Sequence, residues 1–484
     1  MPARTLLRGG HIISMDQDVG DIPDGDVLIE DEDIAAVAPS IDASDCEVVD
    51  ASGAIIIPGF IDSHRHTWET VVRGIAPDVT LDGYFELVLD KLAPAYRPQD
   101  VYAGNLLGAL EAIDAGVTTL LDWSHINNTP DHTDEAIRAL EELKLRSVYC
   151  YGNPNTSLAD WWFNSVLESP EDIRRVRDRY FSSDDGLMTL AMGTRGPGFC
   201  VPEVVRHDWE LARDIGVPIS VHVGMGNVAG RFRMVEQLHD LHLLGPDTTY
   251  IHCNHLTDRE FQLIADTGGT TSIAPMVEMT MGHGMPPTGE LLEHGLRPSL
   301  SCDVVTSVPG DPFTQMRFLF AAERVRVHER VFDEELEEVP PLLSSRDVLE
   351  FATIDGARVC GLADKAGSLA PGKKADIVML DIERVNAAPV IDPVGTVVCS
   401  MDTSNVNSVW VNGRAIKRDG QLVGFDLERA RGLAEDSRDF LVTHAERPAH
   451  WVTPRTTSGT ALGVVDLPNL PYPRWRSLES DPSH

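Results

Sequence analysis

Lysine is scarce in this chain. Of 484 residues only six are Lys (Lys91, Lys144, Lys365, Lys373, Lys374 and Lys417), and Asp plus Glu number 76 against 40 Lys plus Arg. The net charge of −36 repels nucleic acid and anionic membranes, so neither is expected as a partner. It reads as a solubility bias of an acidic, arginine-preferring proteome or a high-salt cytoplasm. Long apolar runs are missing too. Nothing approaches the roughly 18 residues that a transmembrane helix needs, and M-P-A-R-T-L-L-R-G-G at the start lacks the long apolar segment of a secretory signal. Paired cysteines are absent: Cys46, Cys150, Cys200, Cys253, Cys302, Cys360 and Cys399 are scattered without CxxC spacing. An odd, unpatterned set argues for reduced thiols and against both a disulfide framework and a Cys-based zinc site. A cytoplasmic protein that acts on a small molecule is the expectation.

What is present is a long alternation of apolar strand-like runs with helix-like segments. The runs fall at residues 54–61, 116–126, 145–153, 186–196, 217–226, 248–256, 269–276 and 296–304, with helical patterns such as 134–144 and 258–267 between them. Eight such units predict an α/β chain folded as a parallel (β/α)8 TIM barrel. The two ends of the chain read differently. Short alternating segments punctuated by Gly and Asp occur both in residues 4–57 and in A-D-I-V-M-L-D and N-V-N-S-V-W-V-N-G-R-A-I-K-R-D-G far downstream. They predict one small β-sandwich, built from residues 1–57 and 365–424, flanking a barrel over 58–364. Residues 309–341 read as a helix followed by an acidic, solvated insertion. Residues 425–484 begin as a helix and end irregular, a tail suited to packing against the barrel wall or a second subunit.

The strand-end residues are rich in His, Asp, Asn and Trp. In A-I-I-I-P-G-F-I-D-S-H-R-H, residues 54–66, the run Ala54–Ile57 with Phe60–Ile61 reads as a buried strand. Side chains two apart on a strand share a face, so His64 and His66 converge on one point at its C-terminal end. His222 ends the fifth strand and Asp303 the eighth. Three imidazoles and one carboxylate suit one divalent metal ion, Zn2+ or alternatively Fe2+, with room left for a water. The ion would lower that water's pKa toward neutrality, and Asp303 would accept its proton as it attacks. Taken singly, each residue has a plainer reading, such as a hydrogen-bonded core histidine or a helix cap. Three correctly ordered strand ends carrying them together favour the metal site.

I-I-P-G-F-I-D-S-H-R-H resembles the first-strand motif of the amidohydrolase superfamily, and G-S-L-A-P-G-K-K-A-D-I-V-M-L-D is similar to its C-terminal signature. The resemblance implies the split flanking domain, a homo-oligomer and a metal-dependent hydrolase acting on carbon–nitrogen bonds. Two-metal members bridge their ions with a carboxylated Lys at the fourth strand, which here ends G-T-R-G, so the single-metal branch of deaminases and triazine hydrolases is implied. H-C-N-H-L, residues 252–256, resembles that branch's sixth-strand pattern. It implies that His252 polarises the substrate or orients the nucleophile and that His255 touches or supports it. His125, Trp68, Glu69 and Trp123 are candidates to line the pocket, although ordinary packing at the rim is the plainer reading of these four.

One departure bears on the chemistry. Deaminases of this branch carry H-x-x-E at the fifth strand, and the Glu shuttles a proton to the leaving amine. Here His222 is followed by V-G-M, placing Met225 where the acid belongs. Glu278, after the seventh strand, is the candidate replacement. The leading expectation is hydrolytic deamination of an aminated nitrogen heterocycle. An amide, carbamate or urea hydrolase, or a hydrolytic dehalogenase, would not need the missing acid. A catalytically silent barrel used for binding or assembly has no physical reason to keep four ligands aimed together.

Overall fold

The computed structural model describes residues 4–444. Eight parallel strands stand in chain order around a barrel: Phe60–Arg65, Val117–Ser124, Arg146–Tyr151, Met188–Thr194, Ile219–Val223, Thr248–His252, Thr270–Ile273 and Ser299–Leu300. Closure between the last and first is made by few bonds. The Asp303 N–H donates to the His64 carbonyl at 3.1 Å and the His66 N–H to the Asp303 carbonyl at 2.8 Å. Deeper in, the Ser63 hydroxyl lies 2.8 Å from that of Ser272 and 2.6 Å from that of Ser299. These backbone bonds seat the two catalytic-looking strand ends side by side, which places the site at the C-terminal rim.

The strand expected over 54–61 is two strands in two different sheets. Ala54–Pro58 pairs with Ile377–Asp381 in the flanking sheet, whereas Phe60–Arg65 pairs with Val117–Ser124 in the barrel. Gly59 makes the crossing. A Cβ there would lie 1.9 Å from Thr118 Oγ1, so only glycine lets the chain pass that close. The flanking layer is formed by both chain ends, as the sequence implied, and its nine strands join in one mixed sheet. Leu7, Ile12, Val27, Ile56, Ile377 and Trp410 lie in the core that it encloses. Sheet and barrel are joined by a buried ion pair, in which the Arg146 Nε donates to Asp376 Oδ2 at 2.6 Å and the Asn412 N–H donates to Asp376 Oδ1 at 2.7 Å. Both Asp376 oxygens and the Nε and Nη2 of Arg146 are hydrogen-bonded, the condition under which a buried pair is tolerated.

After the eighth strand the helix Pro312–Asp333 runs along the barrel, and Leu427–His444 packs on the helix Pro98–Asp114. The irregular part of the tail expected beyond it lies outside the described residues. Among the described residues no helix is long and apolar enough to cross a membrane, and all seven cysteines are free.

Candidate metal centre and active site

His64 ends the first barrel strand and His66 follows it, and the hydrogen bonding around them fixes which nitrogen each presents. The His66 Nδ1–H donates to the Trp123 carbonyl at 2.8 Å, leaving the Nε2 lone pair directed inward. That Nε2 lies 3.3 Å from Asp303 Oδ1, and His64 Nε2 lies 3.1 Å from the same oxygen. His222 Nε2 is 3.1 Å from His64 Nε2. All four side chains are buried, and their donor atoms lie within 4.8 Å of one another. Donors so crowded in a dry site repel unless something positive lies between them, and this set fits a divalent ion.

Electrostatics favour the ligating forms of His64, His222 and Asp303, whereas the Asp303 carboxylate beside His66 outweighs burial and raises that imidazole. Burial holds His64 at about 4 and pushes His222 well below its ordinary value, so both are neutral with free lone pairs. Burial raises Asp303, but the imidazoles of His64, His66 and His252 around it outweigh that and keep the carboxylate well below its usual range. The backbone pays attention to the same residues: Asp303 has φ +62° and His252 has φ +74°. Non-glycine residues rarely adopt this region, and such conformations cluster where side chains must be aimed.

His252 sits against this group with Nε2 3.8 Å from Asp303 Oδ2. Its other nitrogen, Nδ1, is 3.1 Å from Glu278 Oε1. Glu278 also accepts from the Ala274 N–H at 2.7 Å and from Asn254 Nδ2 at 3.3 Å. Its carboxylate is therefore engaged behind His252, and it does not line the cavity as the replacement acid was expected to do. The physical reason is local: the helix Pro275–Met281 starts at the end of the seventh strand and turns Glu278 back over its own first turn.

A small cavity opens over these converging side chains. His66, His125, His222, His252 and Asp303 reach it, whereas Trp68, Glu69, Trp123 and His255 do not. Trp68 lies behind His125, its Nε1–H donating to His125 Nδ1 at 3.1 Å. His125 in turn stacks on His66 with ring centroids 4.0 Å apart. Trp123 packs beneath His222 at 4.6 Å. Glu69 is buried and pushed up to about 8 by that burial, with the Tyr84 hydroxyl bonded to it. His255 is exposed.

The rest of the cavity wall was not foreseen from sequence. Leu81, Tyr84, Phe85, Trp162, Met281 and His283 line it, together with Met225. All but His283 are apolar or aromatic faces of loops and short helices, whose convergence no local pattern announces. His283 had one signal, a histidine set between glycines in M-G-H-G-M beyond a barrel strand.

A family model described as "Amidohydrolase family" matches residues 55–416. The chain is 31% identical to a 5'-deoxyadenosine deaminase of Methanothermobacter thermautotrophicus over 89% of this chain and 97% of that one. It is 27% identical to a 5-methylthioadenosine/S-adenosylhomocysteine deaminase of Symbiobacterium thermophilum, covering 86% and 94%. Among solved structures, an adenosine deaminase from Xanthomonas campestris with bound zinc superposes with a TM-score of 0.79 at 20% identity, covering 91% and 99%. An atrazine chlorohydrolase from Arthrobacter aurescens complexed with zinc gives 0.78 at 22%, covering 90% and 100%. At these identities the structural likeness speaks for the fold.

Proposed function

Since the chain belongs to the amidohydrolase family, we propose that it is a metal-dependent hydrolase that deaminates a flat, aminated nitrogen heterocycle. The observation that carries the reading is the meeting of His64, His66, His222 and Asp303 at the floor of a cavity walled by apolar and aromatic side chains. Such walls hold a planar ring and exclude bulk water. The full-length similarity to deaminases of adenine-containing compounds supports an amine as the leaving group.

One divalent ion, zinc first and ferrous iron as the alternative, would be held by those four side chains, and it supplies a Lewis acid that brings the pKa of water toward neutrality. The protein's own groups do the rest. Asp303 takes the proton of the attacking water. His252, held by Glu278, orients the attacking oxygen toward the ring carbon. Stacked on His66, His125 presents a flat face at the edge of the ring site. Free thiols throughout support a cytoplasmic setting.

The test is mass spectrometry of the products after incubation with aminated purines, pterins and triazines alongside aryl amides, ureas and carbamates. Replacement of an amine by oxygen is the expected result. Cleavage into two fragments, with the aminated rings untouched, would assign an amide-type hydrolase instead, a reaction less dependent on the acid that Met225 lacks.

A homo-oligomer goes with this reading. Phe318, Val325 and Phe332 fall at seven-residue spacing on the helix Pro312–Asp333 and are 37%, 56% and 81% exposed. An apolar stripe of that kind is costly to leave in water and suits a second copy of the chain. Light scattering of the purified full chain should give a multiple of 53.0 kDa; a monomer at micromolar concentration would remove the assignment.

A further inference from the structure

We infer that His283 carries the proton that a carboxylate at position 225 would carry, hydrogen-bonding the departing amine of the heterocycle. The inference rests on the deaminase reading above.

Three observations lead to it. First, the cavity lacks an acid: Met225 is buried in its wall, and among the described residues Asp303 is the one carboxylate that lines it. Second, the place left vacant in chemistry is filled in space by His283. The His283 N–H donates to the Glu278 carbonyl at 2.8 Å, and its own carbonyl accepts from the N–H of Gly226, the neighbour of Met225, at 2.7 Å. A Cβ on Gly226 would lie 2.5 Å from the Gly282 carbonyl oxygen, so the two loops meet backbone to backbone. His283 is thereby tied to the end of the fifth strand across more than fifty residues of chain. Third, the ring is unspent. It is 2% exposed, it packs edge-on to His252 with centroids 4.6 Å apart, and neither ring nitrogen has a hydrogen-bond partner. A buried, unpartnered donor and acceptor is costly and calls for a ligand. The Tyr84 hydroxyl, by contrast, is engaged with Glu69, and His125 Nδ1 with Trp68. Burial keeps His283 neutral, at about 3, so one nitrogen bears a proton and the other a lone pair.

The reaction exchanges a ring C–NH2 and water for C=O and NH3. The water oxygen bonds the ring carbon while the C=N pair moves to the ring nitrogen, which receives the proton that Asp303 took from the water. The bond to the exocyclic amine then breaks. The amine leaves with the electron pair and the N–H proton of His283, and the hydroxyl proton passes to the other nitrogen of His283 as C=O forms. The imidazole ends neutral, as it began.

The test compares the metal-loaded wild type with His283→Gln on amino- and chloro-substituted forms of one ring. The first pair is 5'-deoxyadenosine and its 6-chloro counterpart, the second an aminated and a chlorinated triazine. Chloride departs without a proton. The kcat of His283→Gln on the amine should fall about a hundredfold or more, the range of general acid catalysis, with KM within about threefold and a much smaller loss on the chloride. Metal content by mass spectrometry, and calorimetric binding of the deaminated product, should stay near wild type. Adding Met225→Glu to His283→Gln should restore part of the lost kcat on the amine. Equal losses on amine and chloride, or no loss on the amine, would overturn the inference. A wild type that converts none of the aminated rings would overturn the deaminase reading itself, a different and separable result.

Discussion

Asn in place of Asp303 should leave a folded protein that has lost most of its bound metal and whose kcat/KM is lower by about three to five orders of magnitude, the combined effect of a lost anionic ligand and a lost proton acceptor. The choice of Asn follows from the backbone. Asp303 sits at φ +62°, a region that Asn tolerates nearly as well as Asp and that Ala does not. The amide also keeps the size of the carboxylate and the backbone bonds from Asp303 to His64 and His66 that close the barrel. What it removes is charge. Two imidazoles, His64 and His66, face one Asp303 oxygen at 3.1 and 3.3 Å, and with that oxygen neutral the cation loses the only anionic member of its donor set. Metal content by plasma mass spectrometry and steady-state kinetics check the result. Turnover within about tenfold of wild type would take Asp303 out of the reaction, since proton transfer by a positioned side chain alone is worth about a hundredfold or more.

Asn in place of His252 should lower kcat by about a hundredfold or more, the usual worth of holding the reacting groups in line, and leave metal content unchanged. His252 is also left-handed, at φ +74°, so Asn again avoids a backbone penalty. The separation of the two effects is the informative part. His252 Nε2 stands 3.8 Å from Asp303 Oδ2 and is not one of the four converging donors. It faces the substrate side of the centre, held from behind by Glu278 through Nδ1. Metal and activity lost together in this variant would make His252 a ligand and overturn its role toward substrate. Glu278, which holds His252 and does not line the cavity, would act through His252 as a positioning residue, a different task from the one its place in the sequence invited.

Period, order and composition made much of this legible without coordinates. His64 and His66, two apart on an apolar strand, could only converge, and the order of eight apolar runs put His222 and Asp303 on the same rim. The split of the flanking sheet between both chain ends followed from two matching sets of short segments, and the absence of a lysine at the fourth strand end pointed to a single ion. Each of these signals is local or periodic, so it survives in one dimension.

The rest depended on chain segments that meet only in space. That residues 54–61 are two strands in two sheets turns on Gly59 passing so close to Thr118, fifty-nine residues on, that any Cβ would collide with it. For Trp68, Trp123 and Glu69 the sequence left pocket lining and rim packing both open, with packing the plainer; the stacking of His125 on His66 sets the tryptophans behind these histidines and burial closes over the glutamate. Glu278 and His283 lie five residues apart and have opposite fates: the first turn of a short helix directs one carboxylate back onto His252, and a backbone bond to Gly226 carries the imidazole to the wall that Met225 leaves without an acid. The sequence by itself determined the barrel, the meeting of His64, His66, His222 and Asp303, and Met225 in the place of a carboxylate, because those are set by strand period and order. Only tertiary structure decided which side chains reach the cavity and which stand behind it, because loop conformation is governed by long-range packing and by hydrogen bonds that no local pattern encodes.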